Sequence, residues 1–444
     1  MIGIKLAGVL LTAAALWTYY SAIKLTGLKT PWFWPFLLFF SAANVTAQFL
    51  MAQPQLISLP LSAFLFSLLI RRCKNSGTPE LSRPTASLIP IFLTGFGIAW
   101  LHLNFVWLPI AICAVVVVVR LILERKIDSG AVMATLGGLI FGWLARPVAF
   151  DAARLLYIQT VEQILVKHRG ISLLWGTENL PFNPYVLARN FVPFMLLWIT
   201  AISTAAWMAL KRVGGESQGE WVLMWSSLTL SIGSFFLTLF VGRRAYDLWT
   251  MFGVLFIAAV YTYLFPRFSF WRERTARNIA MLAIVGAFSF MAFDSAAKTM
   301  ASMNGIGYPP DTLREVALWL EKNSQPGDIV FNLRWSHFSP LFFWNQQNYY
   351  VGGLDPIFQY GYEPSLYWKY HHLSADQAAE QTCGAMVCTP DTLQDTRVVL
   401  VRDFKANYLV LSKFQNPLVY DFLENDSHFE KKFETGREAV FLIK

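Results

Sequence analysis

Arg243 and Arg244, with Asp247 just beyond them, are the side chains whose types and spacing most directly suggest chemistry in this sequence. They stand between apolar runs at 221–241 and 248–265, each long enough to cross a bilayer as a helix. Two guanidiniums and a carboxylate are therefore expected at a membrane boundary. Paired arginine presents planar, always-charged donors matched to phosphate oxygens. The pair is predicted to anchor an anionic headgroup such as the phosphate of a lipid-linked donor, with Asp247 orienting one guanidinium. An ordinary short loop, its arginines paired with Asp247 or with lipid phosphates, accounts for the same residues. His102 and Asn104 occupy a tight connection between two other apolar runs and are expected on the same face. Glu178 and Asp151 are the remaining carboxylates close to the bilayer there. No His-Glu-x-x-His, phosphate-cradling glycine loop or Ser/His/Asp arrangement appears, and no set of metal ligands with suitable spacing.

The elements that must position these groups follow from composition. Of 444 residues, 55% are hydrophobic and only 14% charged, against roughly 25% charged in soluble domains. That is a polytopic membrane protein. The +8 balance does not indicate nucleic acid, because Lys and Arg gather in short loops between apolar runs instead of in one patch. About ten spans are predicted, at 2–23, 32–51, 55–70, 87–102, 104–122, 131–150, 191–210, 221–241, 248–265 and 279–296.

Charge assigns their direction. Basic loops hold Lys24 and Lys29; Arg71, Arg72 and Lys74 in 71–83; Arg120, Arg125 and Lys126; Lys211 and Arg212; and Arg267, Arg272, Arg274 and Arg277. Placing all of them in the cytoplasm leaves 151–190, the Arg243 loop and everything past 305 outside. Within 151–190, Leu155, Ile158, Val161 and Leu165 recur at helical spacing opposite Asp151, Arg154 and Glu162, so a helix lying along the membrane surface is expected. The same bookkeeping puts Met1 outside, and the sequence is expected to begin one helix and one external loop late. A re-entrant pair across 32–70, or Lys5 on the inside, is the alternative reading.

Two domains are expected: 1–300, helical and including the external segment 151–190, and 305–444, an extracytoplasmic α/β domain. In the second, Pro309, Pro310 and Asp311 precede a helix with the apolar stripe Leu313, Val316, Ala317 and Leu320. Strands are predicted at 329–333, 398–401, 408–411 and 439–443, and a helix at 417–424. The aromatic-rich stretch 335–370 is expected to pack between domain and membrane or to form a sugar-stacking surface. Outside the cytoplasm, Cys383 and Cys388 suit a small-loop disulfide. Cys73 is expected in the basic cytoplasmic loop and Cys113 in an apolar helix as a small hydrophobe.

The order of basic inner loops, external surface helix, Arg-Arg-x-x-acid at an outer boundary and C-terminal α/β domain resembles the GT-C class of integral-membrane glycosyltransferases. It is similar to bacterial members whose outer domain has a Gly-Leu-Asp-Pro turn, here Gly353, Leu354, Asp355 and Pro356. The other matching stretches are 53–58, 100–104, 183–185 and 243–247. The resemblance implies a multi-pass protein of the bacterial cytoplasmic membrane that moves a sugar from a polyprenyl-phosphate donor to an extracytoplasmic acceptor. Its partners would be that donor and the bilayer. Such transfer needs a base and a stabiliser for the departing phosphate. Glu178 is then the candidate base with Asp151 second, Arg243 and Arg244 the phosphate ligands, and His102 and Asn104 donor contacts. Asp355 is read as a turn cap and, beyond that, a substrate contact. The class also implies Mg2+ or Mn2+ held through an acid pair in the first external loop, which this sequence does not contain. His102 precedes Asn104 where the class places Asn before His, and Asn332 stands where a strand-end acid is expected. The rival expectation is a non-enzymatic membrane module, such as a lipid-carrier or glycan export and assembly subunit. Transporters commonly show internal repeats, and none is found here.

Overall fold

The computed structural model describes residues 2–51, 53–75, 88–174, 176–211, 218–263, 273–306, 309, 311–353 and 355–444. Positions 76–83, Arg212, Arg267, Arg272, Pro310 and Leu354, all invoked above, lie outside the described residues. The chain divides into two compact units, Met1–Leu156 with Thr177–Ile306, and Tyr157–Gly176 with Gly307–Lys444.

The first unit is helical: α1 Ile2–Leu25, α2 Phe33–Phe39, α3 Ala43–Leu50, α4 Gln55–Lys74, α5 Leu88–Leu101, α6 Trp107–Glu124, α7 Ser129–Leu144, α8 Ala149–Tyr157 (continuing through α9 Gln163–His168), α10 Pro184–Leu210, α11 Gln218–Phe240, α12 Tyr246–Tyr263 and α13 Arg274–Ile306. Among the described residues seven helices are long and apolar enough to cross a membrane, and nine spans result if two bent pairs each count once. This is a polytopic membrane protein. Two of the predicted spans take other forms. The run at 32–51 is the pair α2 and α3, bent by 98°. The break survives in an apolar setting because side chains take up carbonyls freed at the end of α2: the Ser41 hydroxyl donates to Leu38 O at 2.8 Å and Thr46 to Phe39 O at 2.7 Å. The run at 87–102 is α5, whose 14 residues rise only about 21 Å.

The helical unit has two chemically distinct ends. At one, Lys74 Nζ donates to Thr26 O and to the Tyr263 hydroxyl, both at 2.7 Å, and Lys29 N donates to Thr262 Oγ1 at 3.0 Å. Arg120 pairs with Glu124 at 2.8 Å, and Arg72 with Asp128. The loops after α1, α4, α6 and α12 therefore meet at one end, as alternating crossings require. α1 begins at the other, where the Thr12 hydroxyl reaches Phe49 O.

The core centres on Trp249 of α12, fully buried among Phe191, Phe194, Trp198 and Phe235 with ring centroids 5.0–5.6 Å away. Such aromatic pairs each contribute about 0.5–1.5 kcal/mol beyond area burial. α5 and α7 pack by backbone contact. A Cβ on Gly138 would sit 2.2 Å from Phe92 O, and one on Gly142 2.3 Å from Phe96 O. The small-x-x-x-small spacing allows that approach.

The second unit carries a five-stranded sheet in the order β2-β1-β5-β7-β6. Its strands are β1 Ile329–Asn332, β2 Tyr349–Tyr350, β5 Tyr408–Ser412, β6 Phe429–Glu434 and β7 Glu438–Ile443, with a hairpin of β3 Gln381–Cys383 and β4 Leu393–Asp395 apart from it. β1 pairs parallel with β2 and β5, while β7 pairs antiparallel with β5 and β6. Helices α14 Arg314–Asn323, α15 Phe338–Trp344, α16 Pro356–Tyr362, α17 Pro364–Ser374, α18 Thr396–Val398 and α19 Pro417–Asn425 complete it.

The strand predicted at 398–401 is instead helical, with α18 running into a π-helical turn at Val399–Asp403. Its β-branched run reads as strand, but Asp395 Oδ1 accepts from Val398 N at 2.8 Å and starts a helix, and Val399 and Leu400 bury in the core. β6 has no apolar alternation to betray it; its Glu and Lys residues suit a sheet edge. Buried Asn332 binds both Gly352 N (3.1 Å) and Gly352 O (3.2 Å), tying β1 to the loop after β2. A Cβ there would meet the Tyr370 hydroxyl at 2.5 Å, so Gly352 is sterically required.

The segment Tyr157–Gly176, assigned from sequence to the helical domain, groups with the second unit. Ile158, Val166 and Leu173 bury against Ile357, Tyr367 and Trp368 of that unit, while Val161, Ile164 and Leu165 stay exposed. The aromatic stretch 335–370 divides similarly: Tyr367, Trp368 and Tyr370 are core, whereas Phe342, Phe343 and Tyr349 are exposed.

Candidate functional site

The Arg243 turn is built by two chain segments that meet beyond α11. Phe182 N donates to Thr238 O at 3.0 Å and Arg243 N to Leu180 O at 2.8 Å, so the loop before α10 lies along the end of α11. Asn183 ends that loop, its Oδ1 accepting from Tyr185 N at 2.9 Å, and Pro184 opens α10. Arg243 to Ala245 then form one 3-10 turn leading into α12.

The two arginines differ in environment. The Arg243 guanidinium lies 5.2 Å from the centre of the Phe182 ring, and its Nε is buried without a hydrogen-bond partner among the described residues. Stacking on Phe182 fixes the side chain while leaving donors unspent. Arg244 Nη2 donates to Glu178 Oε1 at 3.2 Å. The predicted phosphate ligand and the predicted base are thus partners of one another.

His102 joins this end. Its Nδ1 lies 2.9 Å from the Ser58 hydroxyl, its ring stacks on Phe105 at 4.6 Å, and Arg146 and Arg244 are both near enough to act on it electrostatically. Arg146 Nη1 donates to Ala99 O (3.2 Å) and Trp100 O (2.6 Å), capping the carbonyl end of α5. The glycine-mediated contact of α5 with α7 is what brings His102 and Arg146 together. Asn104 sits in the adjoining 3-10 turn, half-buried.

Other predicted residues lie elsewhere. Asp247 makes no hydrogen bond or ion pair to either arginine among the described residues, although Arg244 is near enough to act on it electrostatically. One helical step past the turn it points inward, buried, with Tyr19, Val45, Leu59 and Met251 around a small void, and its Oδ1 has no hydrogen-bond partner among the described residues. The helical phase of α12 decides this, because Trp249 and its neighbours fix which face enters the core. Asp151 is exposed in the first turn of α8. In the second unit Asp355 is the N-cap of α16, accepting from Ile357 N at 3.4 Å. Cys383 and Cys388 form a disulfide. Cys73 and Cys113 are buried and outside any disulfide, Cys73 lying in the last turn of α4 and not in the loop after it.

Arg146, Arg189, Asn190 and Lys298 at this end were missed from sequence. The signal was available: Arg146 and Arg189 break the same charge rule that singled out Arg243.

A divalent hard cation takes several oxygen ligands. Here Glu178 is spent on Arg244 and Asp247 faces the core, so the described residues do not fit Mg2+ or Mn2+ at this turn. Among the described residues the one cluster of suitable side chains is His372 with Cys383 and Cys388, both sulfurs of which are in the disulfide. What the turn offers is a cationic, donor-rich surface with one carboxylate beside it.

No family model matches the chain, and no curated protein matches it. Among solved structures it is similar to the crystal structure of ArnT from Cupriavidus metallidurans bound to undecaprenyl phosphate, with a TM-score of 0.55 and 12% identity over 99% of this chain and 83% of that one. At that identity the likeness shows the fold: this chain is folded like ArnT, in keeping with the fold the resemblance implied.

Proposed function

We propose that this chain is a membrane glycosyltransferase that moves a sugar from a polyprenyl-phosphate donor to an acceptor on the extracytoplasmic face of a bacterial cytoplasmic membrane. The reading is carried by one observation: Arg243, stacked with unspent donors, stands beside an Arg244 already paired with a carboxylate. The GT-C-like fold, and a neighbour of that fold crystallised with undecaprenyl phosphate, support it. The clustering of basic loops at the opposite end supports an outward-facing turn.

In this scheme the donor phosphate takes up the guanidinium donors of Arg243 and Arg244. Competition for Arg244 releases Glu178, which accepts the proton of the acceptor hydroxyl. The acceptor oxygen bonds to the anomeric carbon as the carbon–oxygen bond to phosphate breaks. The electron pair leaves with the polyprenyl phosphate, whose growing charge the arginines stabilise. His102, its Nδ1 held by Ser58, offers its other ring nitrogen to the donor, and Asn104 its amide. Asp151, exposed nearby in sequence, is the second candidate base.

A second reading, a lipid-carrier module without turnover, is favoured by the single carboxylate at the turn. Glycolipid products measured in cells carrying Arg243→Ala, Arg244→Ala or Glu178→Gln separate the two. Loss of product at intact protein level is expected for the transferase. Unaltered products in all three variants would overturn it.

A further inference from the structure

Apart from the arginine turn, the described residues of the helical unit enclose two cavities of about 410 Å3 each that lie along the same helices without a lining residue in common. One is apolar, with Trp34, Leu197, Ala201, Val260, Phe288 and Met291 among its lining. The other is polar, with Asn44, Arg189, Asn190, Lys298, Thr299 and Ser302. Both volumes lie within the ~300–1,000 Å3 usual for ligand sites.

Their order along the helices is the informative feature. On α10 the polar cavity ends at Asn190 and the apolar one begins at Leu197; on α13 the apolar one ends at Met291 and the polar one begins at Lys298. Each step is a rise of about 10 Å. The two antiparallel helices therefore each line the apolar cavity and, about 10 Å along, the cationic one. The broken span lines both as well, α2 the apolar cavity and α3 the polar one. Ser295 bonds Thr46 at 2.7 Å and Thr299 donates to Ala43 O at 3.0 Å, holding α13 against α3 between the two.

The charge at the mouth is incompletely neutralised. Lys298 pairs with Asp294 at 2.7 Å, but Arg189 is exposed and makes no ion pair among the described residues. An ammonium has three donors and can serve Asp294 and a second anion together. Asn190 Nδ2 donates to Asn44 Oδ1 at 3.3 Å, and the backbone oxygen of Asn44 accepts from Tyr246, so this residue separates the polar cavity from the arginine turn.

We propose that the two cavities act as one groove for a phosphate-headed anionic phospholipid of the bilayer, one acyl chain lying in the apolar cavity and the phosphate meeting Arg189 and Lys298. Within a membrane, an apolar cavity walled by lipid-facing helices fills with hydrocarbon, because an empty one forfeits dispersion contacts. The headgroup then decides which lipid stays. The site is separate from the donor site proposed above and stands without it.

The test uses the full chain in nanodiscs with phosphatidylglycerol or phosphatidylcholine bearing a photoactivatable diazirine in mid-chain. Phosphatidylglycerol is expected to label peptides covering 197–201 and 281–291, and phosphatidylcholine to label them weakly. Arg189→Gln with Lys298→Gln is expected to cut the phosphatidylglycerol label about tenfold or more. Ala201→Phe with Ala287→Phe, which fills the slot and keeps the charges, is expected to abolish it. Arg243→Ala with Arg244→Ala is expected to leave it unchanged, so failure of the donor site and of this one can be told apart. Equal labelling by both lipids, or a label indifferent to the Arg189/Lys298 pair of substitutions, would overturn the proposal. Displacement by millimolar inorganic phosphate would do the same, by showing an anion site that needs no lipid.

Discussion

Arg244 and Glu178 are 66 positions apart and joined by a 3.2 Å hydrogen bond that links the start of α12 to the loop before α10. Their side chains are 46% and 33% exposed, so the pair contributes little to stability, about 0.2–1 kcal/mol. Its significance is chemical, since one partner is the proposed phosphate ligand and the other the proposed base.

Glu178→Gln is therefore expected to lower turnover by about 10²–10⁴ while leaving donor affinity within a few-fold. Arg244→Ala is expected to weaken the transition-state contact by about 10²–10³. A double-mutant cycle on thermal unfolding is expected to give a coupling below about 1 kcal/mol. Coupling of several kcal/mol would make the pair a structural clamp instead.

Asp247 presents the opposite case, a buried carboxylate with an unpartnered oxygen. An amide costs less to bury than an unpaired carboxylate. Asp247→Asn is expected to preserve or raise the unfolding temperature and to leave donor binding within about threefold. A tenfold loss of binding would return Asp247 to the arginines' service.

The glycine contact between α5 and α7 positions His102 and Arg146. Gly138→Val places side-chain atoms where Phe92 O stands, at 2.2 Å for the Cβ alone. It is expected to destabilise the protein by about 1–3 kcal/mol or more and to reduce activity without touching the arginine turn. Crosslinking of paired cysteines at the two helix ends would report the separation.

In the second unit, burial and, secondarily, the Arg334 guanidinium push the His337 ring from its ordinary 6.5 down to about 4. The unfolded chain takes up this proton first. Stability from the neutral ring is then fully present above pH 6.5 and is lost as pH falls through about 4, a change on the order of 3 kcal/mol. His337→Phe is expected to flatten that part of the stability profile. Urea-induced exposure of the second unit, followed by proteolysis between pH 7 and 4, measures it.

How legible was this in the sequence? The basic loops converge at one end because each odd or even crossing carries its charges to a fixed side, and spacing with charge sufficed to say so. α14, β1, β5, β7 and α19 follow from local periodicity and turn residues. The 398–401 segment was misread because its β-branched composition was outvoted by a single cap at Asp395. The break at residues 40–42 was hidden because hydroxyls on Ser41 and Thr46, not a proline or glycine, absorb the loose carbonyls.

By itself, the sequence determined that this chain is a membrane protein, which of its loops carry the basic residues, and that two arginines stand at the end of an apolar run. These are properties of composition and of one-dimensional order, which a low-dielectric slab reads directly. Tertiary structure alone decided that Glu178 meets Arg244, that Asp247 turns to the core, that Tyr157–Gly176 packs with the second unit, and that α10 and α13 line both an apolar and a polar cavity. Each of those depends on helix phase and on contacts between segments far apart in the chain. Packing around residues such as Trp249 sets both, and no local pattern encodes them.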